Sequence, residues 1–407
     1  MTLLRIGSIR QRKVSECQVR KLLKQVRDDD AISELFFYNI DFTERIQESM
    51  RKLLIRDGRR FYCIKLLSCS GNLPSIIDMI MDHSSSEALT LSHAELPTLQ
   101  AVNAGLRTNQ SLRVLRISAA AFLEDCLEGL NNNCTLQVLD LCGSHLSETA
   151  IDSLSRSLLP NRKLKVLRLN DCDIEDHAMA EVIECLLGND SLQELELSNN
   201  GASNEALEMI TALIQRNNIE KLGLSSLRLS KDLDQTILYK TIKSLKRNTS
   251  LSYLDISGNH FFNDAIIGLA ESLCENSTLQ SLDISNSHIT ECGIKAFAKY
   301  LPQFKGLSVL SLAENDITED AVLSLVDGLE HNRILFSLGP IEEVYECSHI
   351  IEHYLDLNMA GRRALQNDIS LSIWPHLLAR TAQAKLNHGR TENCLYSLLR
   401  GPALFEG

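Results

Sequence analysis

The residues with the most explicit chemical spacing in this chain are His349, Glu352 and His353, in the run HIIEH. Histidines four positions apart share one helix face and can hold a zinc ion, with the glutamate beside them placed to act as a base. A third ligand would have to come from Glu392 or Glu406, the glutamates that follow. Other catalytic frameworks are missing from the sequence. There is no G-x-x-x-x-G-K-S/T phosphate loop, no G-x-G-x-x-G after a strand pattern and no G-x-S-x-G nucleophile turn. The 12 cysteines run from Cys17 to Cys394 without a C-x-x-C pair. They read as small buried hydrophobes of a reducing compartment rather than as zinc or redox centres.

The elements that would position any of these groups come from a repeat. The stretches LRVLRI (112–117), LQVLDL (136–141), LKVLRL (164–169), LQELEL (192–197), IEKLGL (219–224), LSYLDI (251–256), LQSLDI (279–284) and LSVLSL (307–312) all follow L-x-x-L-x-L. Their starts lie 24, 28, 28, 27, 32, 28 and 28 residues apart. Weaker copies at Leu35 and Phe37, Ile64 and Leu66, Leu89 and Leu91, and Leu335 and Leu338 bring the total to about twelve, over residues 31–340. Between strands the period changes. Positions 15, 18 and 22 after the first leucine are Ile151, Leu154 and Leu158, then Met179, Val182 and Leu186, then Leu207, Ile210 and Ile214. The same phase gives Ile266, Leu269 and Leu273, Ile294, Phe297 and Leu301, and Val322, Leu325 and Leu329. A period-two strand followed by a helical face is therefore the unit. Neither piece buries its apolar side alone, so the units must stack around one interior. Strands repeat every ~4.8 Å and helices every ~8–10 Å, so the expected fold is an α/β solenoid, a curved horseshoe with a parallel sheet on the concave face and helices on the convex face.

On these residues the chain resembles the leucine-rich repeat proteins of the ribonuclease-inhibitor-like subclass, whose units are about 28 residues long. The resemblance covers residues 31–340. The family often places Asn or Cys three residues after the third strand leucine, where this chain has Ala120, Ser144, Cys172, Asn200, Leu227, Asn259, Ser287 and Asn315. The ladder is incomplete, so irregular bends are expected near 120 and 227. The Asn-x-Ser/Thr triplets at Asn109, Asn133, Asn189, Asn248 and Asn276 share one repeat phase with Asn161 and Asn332. That points to a structural role at a left-handed helix exit rather than to glycosylation. Extending the phase past Leu335 turns Ile350, His353 and Leu357 inward, which argues against a metal site there.

The domain reading is a basic segment and helical cap at 1–30, the repeats at 31–340 and a helical cap or appendage at 341–407. Residues 1–27 hold eight basic residues against one acidic, and Val19, Leu22, Leu23 and Val26 share a helix face behind a Ser15/Gln18 capping box.

Binding has the stronger physical case. In each strand the third and fifth residues point away from the leucine core, and parallel register aligns them into rows. The third-position row is Val114, Val138, Val166, Glu194, Lys221, Tyr253, Ser281 and Val309. The fifth is Arg116, Asp140, Arg168, Glu196, Gly223, Asp255, Asp283 and Ser311, where arginine and aspartate can also pair with each other. The repeat starting at Ile219 is four residues longer than its neighbours, and its surplus, LSKDLDQT, puts Lys231, Asp232 and Asp234 on a rim loop. The expected activity is thus that of a non-catalytic scaffold, an adaptor, sensor or inhibitor, gripping a protein partner on the concave face and the β-to-α rim. No cofactor or metal is expected, and a monomer is the simplest assembly. The net charge of −12, with 41 Lys and Arg against 53 Asp and Glu, disfavours nucleic-acid and anionic-membrane partners. A start without an apolar signal core points to the cytoplasm, with the nucleus also open to it. Two alternatives stand beside this reading. One is a GTPase-activating protein, since one family of these has this repeat type; its rim arginine has no match here, and residues 398–407, LLRGPALFEG, carry no acidic run. The other is a zinc metallopeptidase built on His349, Glu352 and His353.

Overall fold

The structure is a computed structural model, and it describes residues 2–7, 14–58, 60–83, 86–122, 126–229, 234–261, 263–339 and 348–359. The chain divides into two compact units, Met1–Leu213 with Leu227–Leu233, and Ile214–Ser226 with Asp234–Gly407. In the first unit eight parallel strands follow one another in sequence order: Thr2–Gly7, Ile32–Tyr38, Cys63–Leu67, Ala88–Ser92, Val114–Ser118, Val138–Asp140, Val166–Arg168 and Glu194–Glu196. Helices that include Leu73–His83, Leu96–Leu106, Glu148–Leu158 and Asp176–Leu187 link them. The second unit repeats the plan with strands Lys221–Gly223, Tyr253–Asp255, Ser281–Asp283 and Val309–Ser311, and a bridge from Val309 to Ser337. Its helices are Gln235–Ser244, Asn263–Glu275, Glu291–Tyr300, Glu319–His331 and Ser348–Met359.

Register explains the interior. Leu115, Leu139, Leu167 and Leu195 face one another across adjacent strands and are fully buried, as are Leu254, Leu282 and Leu310 to within 2%. The six helical triplets from Ile151, Leu154 and Leu158 to Val322, Leu325 and Leu329 are all buried. Each such leucine or isoleucine contributes about 2 kcal/mol relative to an exposed one. Local signals set the helix starts. Ser15 forms a capping box with Gln18, and the Ser147 and Thr318 hydroxyls accept from the amides of Ala150 and Ala321.

The asparagines of the Asn-x-Ser/Thr phase are buried, but their role differs from a left-handed exit. Asn248 and Asn332 are extended, with φ −72° and −78°. Their work is done by the side chain. Each amide nitrogen donates to a carbonyl where the preceding repeat's helix ends: Asn109 to Met81 (2.6 Å), Asn133 to Leu106 (2.8 Å), Asn189 to Leu158 (2.8 Å) and Asn276 to Leu245 (2.6 Å). Each Oδ1 accepts the amides two and three residues on, those of Ser191 and Leu192 in the case of Asn189. Carbonyls left over at a helix end and amides entering a strand are thereby satisfied together.

A second ladder lies at the strand exits. Asn200 donates to Leu169 O (2.8 Å) and accepts from Cys172 N and Ile174 N, while Asn315 accepts from Ser287 N and Ile289 N. Repeats with serine at this position, Ser144 and Ser287, still carry full helices, Glu148–Leu158 and Glu291–Tyr300. Among its described residues, the 24-residue repeat after Leu112 has a short 3-10 turn, Glu128–Asn131, in place of a helix. After Leu227, the pair Arg228–Leu229 joins Gly201–Ala202 in a two-residue ladder, as His145–Leu146 joins Ala121–Phe122 and Asp41–Phe42 joins Ser70–Gly71.

The ends differ from the sequence reading in detail. Thr2–Gly7 is a strand paired in parallel with Ile32–Tyr38, so the amino-terminal segment adds to the sheet and is more than a basic tail. Its helix Glu16–Asp28 buries Val19, Leu23 and Val26, with Leu22 only half-buried. In Ser348–Met359 the buried residues are Ile351, Leu357 and Asn358, while Ile350 and His353 are half-exposed. The repeat phase therefore slips by one residue at 350. Residues 360–407, most of the expected carboxy-terminal appendage, lie outside the described residues.

Candidate protein-binding face

In the first unit the sheet's open face, opposite the helices, carries the expected rows in register. Val114, Val138, Val166 and Glu194 are paired neighbours, as are Arg116, Asp140, Arg168 and Glu196. The charges connect along the rows. Arg116 Nε lies 3.7 Å from Asp140 Oδ2, Arg168 Nη1 lies 3.8 Å from the same oxygen, and Arg168 Nε donates to Glu194 Oε1 at 2.9 Å. Arg168 Nη2 also reaches Glu194 Oε1. Partial burial pulls the Arg168 pKa down, but the bond and charge of Glu194, with Asp140 and Glu196, outweigh it and leave the guanidinium above its ordinary value. The three valines are half-buried beside this row.

The thiols next to the row have raised pKa values. Burial, then the hydrogen bond and charge of Asp140, pushes Cys142 up to about 12, and burial does the same for Cys172.

The same face extends into repeats whose rows the sequence reading left out. Phe36, Lys65, Thr90 and Arg116 are successive partners in the fifth-position row. Tyr38, at the end of its strand, is 43% exposed. The alternation was available in the sequence, since burying Leu35 and Phe37 turns Phe36 and Tyr38 outward, but the L-x-x-L-x-L pattern is degraded there.

In the second unit the rows are Lys221, Tyr253, Ser281 and Val309, and Gly223, Asp255, Asp283 and Ser311. Asp255 Oδ1 accepts from the amide (3.0 Å) and hydroxyl (2.7 Å) of Ser257, and Asp283 Oδ1 from those of Ser285 at 2.9 and 2.6 Å. The Ser285 hydroxyl also meets that of Ser311 at 2.6 Å.

On the rim, Lys231 and Asp232 lie outside the described residues. Asp234 caps the helix Gln235–Ser244, accepting Thr236 N at 2.8 Å, and its hydrogen bonds with Thr236 hold its pKa below the usual carboxylate range. Asp234 thus has a structural job at the start of that helix. His349 and Glu352 are exposed and His353 half-buried, with its ring 5.8 Å from that of Tyr354. Among the described residues no group of three or more His, Cys, Asp or Glu side chains is placed to hold a metal ion. None of their helices is long and apolar enough to cross a membrane.

A parallel sheet with in-register outward rows, backed by helices and stitched by buried asparagines, defines a repeat protein whose open face is a surface rather than a cleft. The repeats are leucine-rich repeats of the ribonuclease-inhibitor-like type. The family described as "Leucine Rich repeat" matches at residues 161–179, 247–270 and 275–298. NACHT, LRR and PYD domains-containing protein 9B of Mus musculus is 32% identical over 137 residues, 32% of this chain and 14% of that protein. Ribonuclease inhibitor of Sus scrofa is 30% identical over 113 residues, 28% of this chain and 22% of the inhibitor. The chain thus matches about a fifth or less of the length of either relative. Among solved structures, an internalin from Listeria monocytogenes aligns over 80% of this chain and 94% of its own, at 14% identity and a TM-score of 0.44.

Proposed function

We propose that this chain is a non-catalytic protein-interaction scaffold that holds a protein or an extended peptide against the open face of its sheet. The observation that carries the reading is the register of the outward rows, which sets Val114, Val138 and Val166 side by side beside Arg116, Asp140 and Arg168. An apolar strip flanked by oriented charge suits a macromolecular surface, where aromatic and arginine anchors dominate the energy and charge selects the partner. Exposed Tyr38 would extend that strip. The similarity to a ribonuclease inhibitor, whose name states a protein target, supports a protein partner. The net charge of −12 supports the same choice over nucleic acid. In this reading residues 31–340 form the binding body between caps at 1–30 and 341–407, working in the cytoplasm or nucleus.

The test is affinity capture from a cell extract with the wild-type chain, Val138→Glu and Arg168→Glu, with helicity monitored by circular dichroism. Selective loss of the same captured proteins in both folded variants supports the reading. Unchanged capture by both contradicts it.

A further inference from the structure

The two-histidine arrangement at the top of the second unit has no part in the binding rows. His260 and His288 stand 28 residues apart, each nine residues after the first leucine of its repeat, at Leu251 and Leu279. Adjacent repeats bring both to the loop that leaves the strand, and both are exposed. Their ring centres are 5.0 Å apart with planes inclined by 34°.

We propose that His260 and His288 form a surface site for one divalent transition-metal ion of the zinc class, with its remaining coordination positions open to water. The geometry carries this. Two imidazoles that share a tetrahedral ion, each nitrogen about 2 Å from it, have ring centres about 5 Å apart. Sharing an ion requires each ring to present one nitrogen to a common point.

The backbone around both rings is already pinned. The amides on either side of His288, those of Ser287 and Ile289, both donate to Asn315 Oδ1 at 3.0 and 3.1 Å. His288 itself has a left-handed backbone, with φ 53°, a region histidine tolerates better than most residues. Before His260, the Asn259 amide nitrogen donates to Leu224 O and Ile256 O, both at 2.8 Å, and after it the Phe261 amide donates to Ser287 O at 3.3 Å. The ordering cost of bringing two ligands together is therefore largely met by the fold. Imidazole donors select zinc, cobalt, nickel or copper over magnesium or calcium. With no third His, Cys, Asp or Glu completing a cluster among the described residues, the site is an open and exchangeable one, unlike a closed four-ligand structural site.

The test is cobalt(II) and zinc(II) titration of the full chain, wild type against His260→Ala, His288→Ala and His145→Ala. His145 holds the same repeat position in the first unit, but its ring nitrogen lies 3.6 Å from Asp173 instead of beside a histidine. The exposed thiols of Cys17, Cys134 and Cys292 are competing ligands, and cobalt separates them because thiolate binding adds an intense charge-transfer band. The expected result is one micromolar site without that band, weakened at least about tenfold in either His260→Ala or His288→Ala and unchanged in His145→Ala. Acidification, which protonates the imidazoles, should release the ion. Equal affinity in wild type and both single variants, binding that is entirely thiolate in character, or no uptake at micromolar metal would each overturn the proposal.

Discussion

The open faces of the two units share one backbone pattern and treat charge in opposite ways. In the first, Arg116, Asp140, Arg168 and Glu194 alternate in sign and draw together along the rows. In the second, Asp255 and Asp283 are direct cross-strand partners of the same sign, flanked in their row by the uncharged Gly223 and Ser311, and each is held by a serine two residues on. Strands stacked ~4.8 Å apart force whatever the sequence puts at one repeat position into contact. A single substitution per repeat therefore decides whether a row satisfies itself or presents unbalanced charge outward.

The comparison presumes that the scaffold beneath both faces is the same. Asn189→Ala and Asn276→Ala test that, since each removes an amide that satisfies both helix-end carbonyls and strand-entry amides. Each should cost about 3 kcal/mol in urea denaturation, because several buried backbone groups lose their partners at once. A large cost in only one unit would mean that the scaffolds differ, and not just the rows.

Arg168→Gln should cost about 1 kcal/mol, shrinking as salt is added, because Asp140 and Glu194 lose a shared partner that is itself partly exposed. The opposite sign is expected in the second unit. Asp283→Asn keeps an oxygen acceptor for Ser285 while removing a like charge opposite Asp255, so stability should hold or rise by up to about 0.5 kcal/mol. If Asp283→Asn destabilises as much as Arg168→Gln, the contrast between the faces fails.

The smallest effect concerns thiol chemistry. With Cys172 buried and its pKa pushed to about 12, a thiol reagent near neutral pH should label Cys17 and Cys134 quickly and leave Cys172 unmodified until the chain unfolds. Peptide mapping by mass spectrometry reads this directly.

Much of this architecture was legible because leucine, isoleucine and asparagine recur at fixed offsets. Ile151, Leu154 and Leu158 lie where a helical face requires them, and the strand leucines align as period two demands. What escaped the pattern did so for identifiable reasons. The strand Thr2–Gly7 carries too little of the motif to announce itself, and its place depends on pairing with Ile32–Tyr38. The inward phase at 350 slips because the helix Ser348–Met359 does not keep the internal register, burying Ile351 instead. Asn248 looked like a left-handed exit because only its type and position were visible, whereas its function lies in side-chain bonds to a carbonyl 34 residues earlier. Among the candidate site residues, row membership could be read directly. Whether Arg116, Asp140 and Arg168 neutralise each other depended on distances. That the Asp234 carboxylate caps a helix depended on the backbone around it. His260 and His288 carried a signal, their spacing of 28 residues, that becomes chemical only once the repeats are stacked.

The central claim is that the sheet's open face meets the partner. Hydrogen exchange of the chain, alone and bound to a protein recovered by affinity capture, tests it most directly. The account predicts added protection in the strand segments 114–118, 138–140 and 166–168, with helices 148–158 and 176–187 unchanged. Protection confined to those helices, with the strands unaffected, would contradict it.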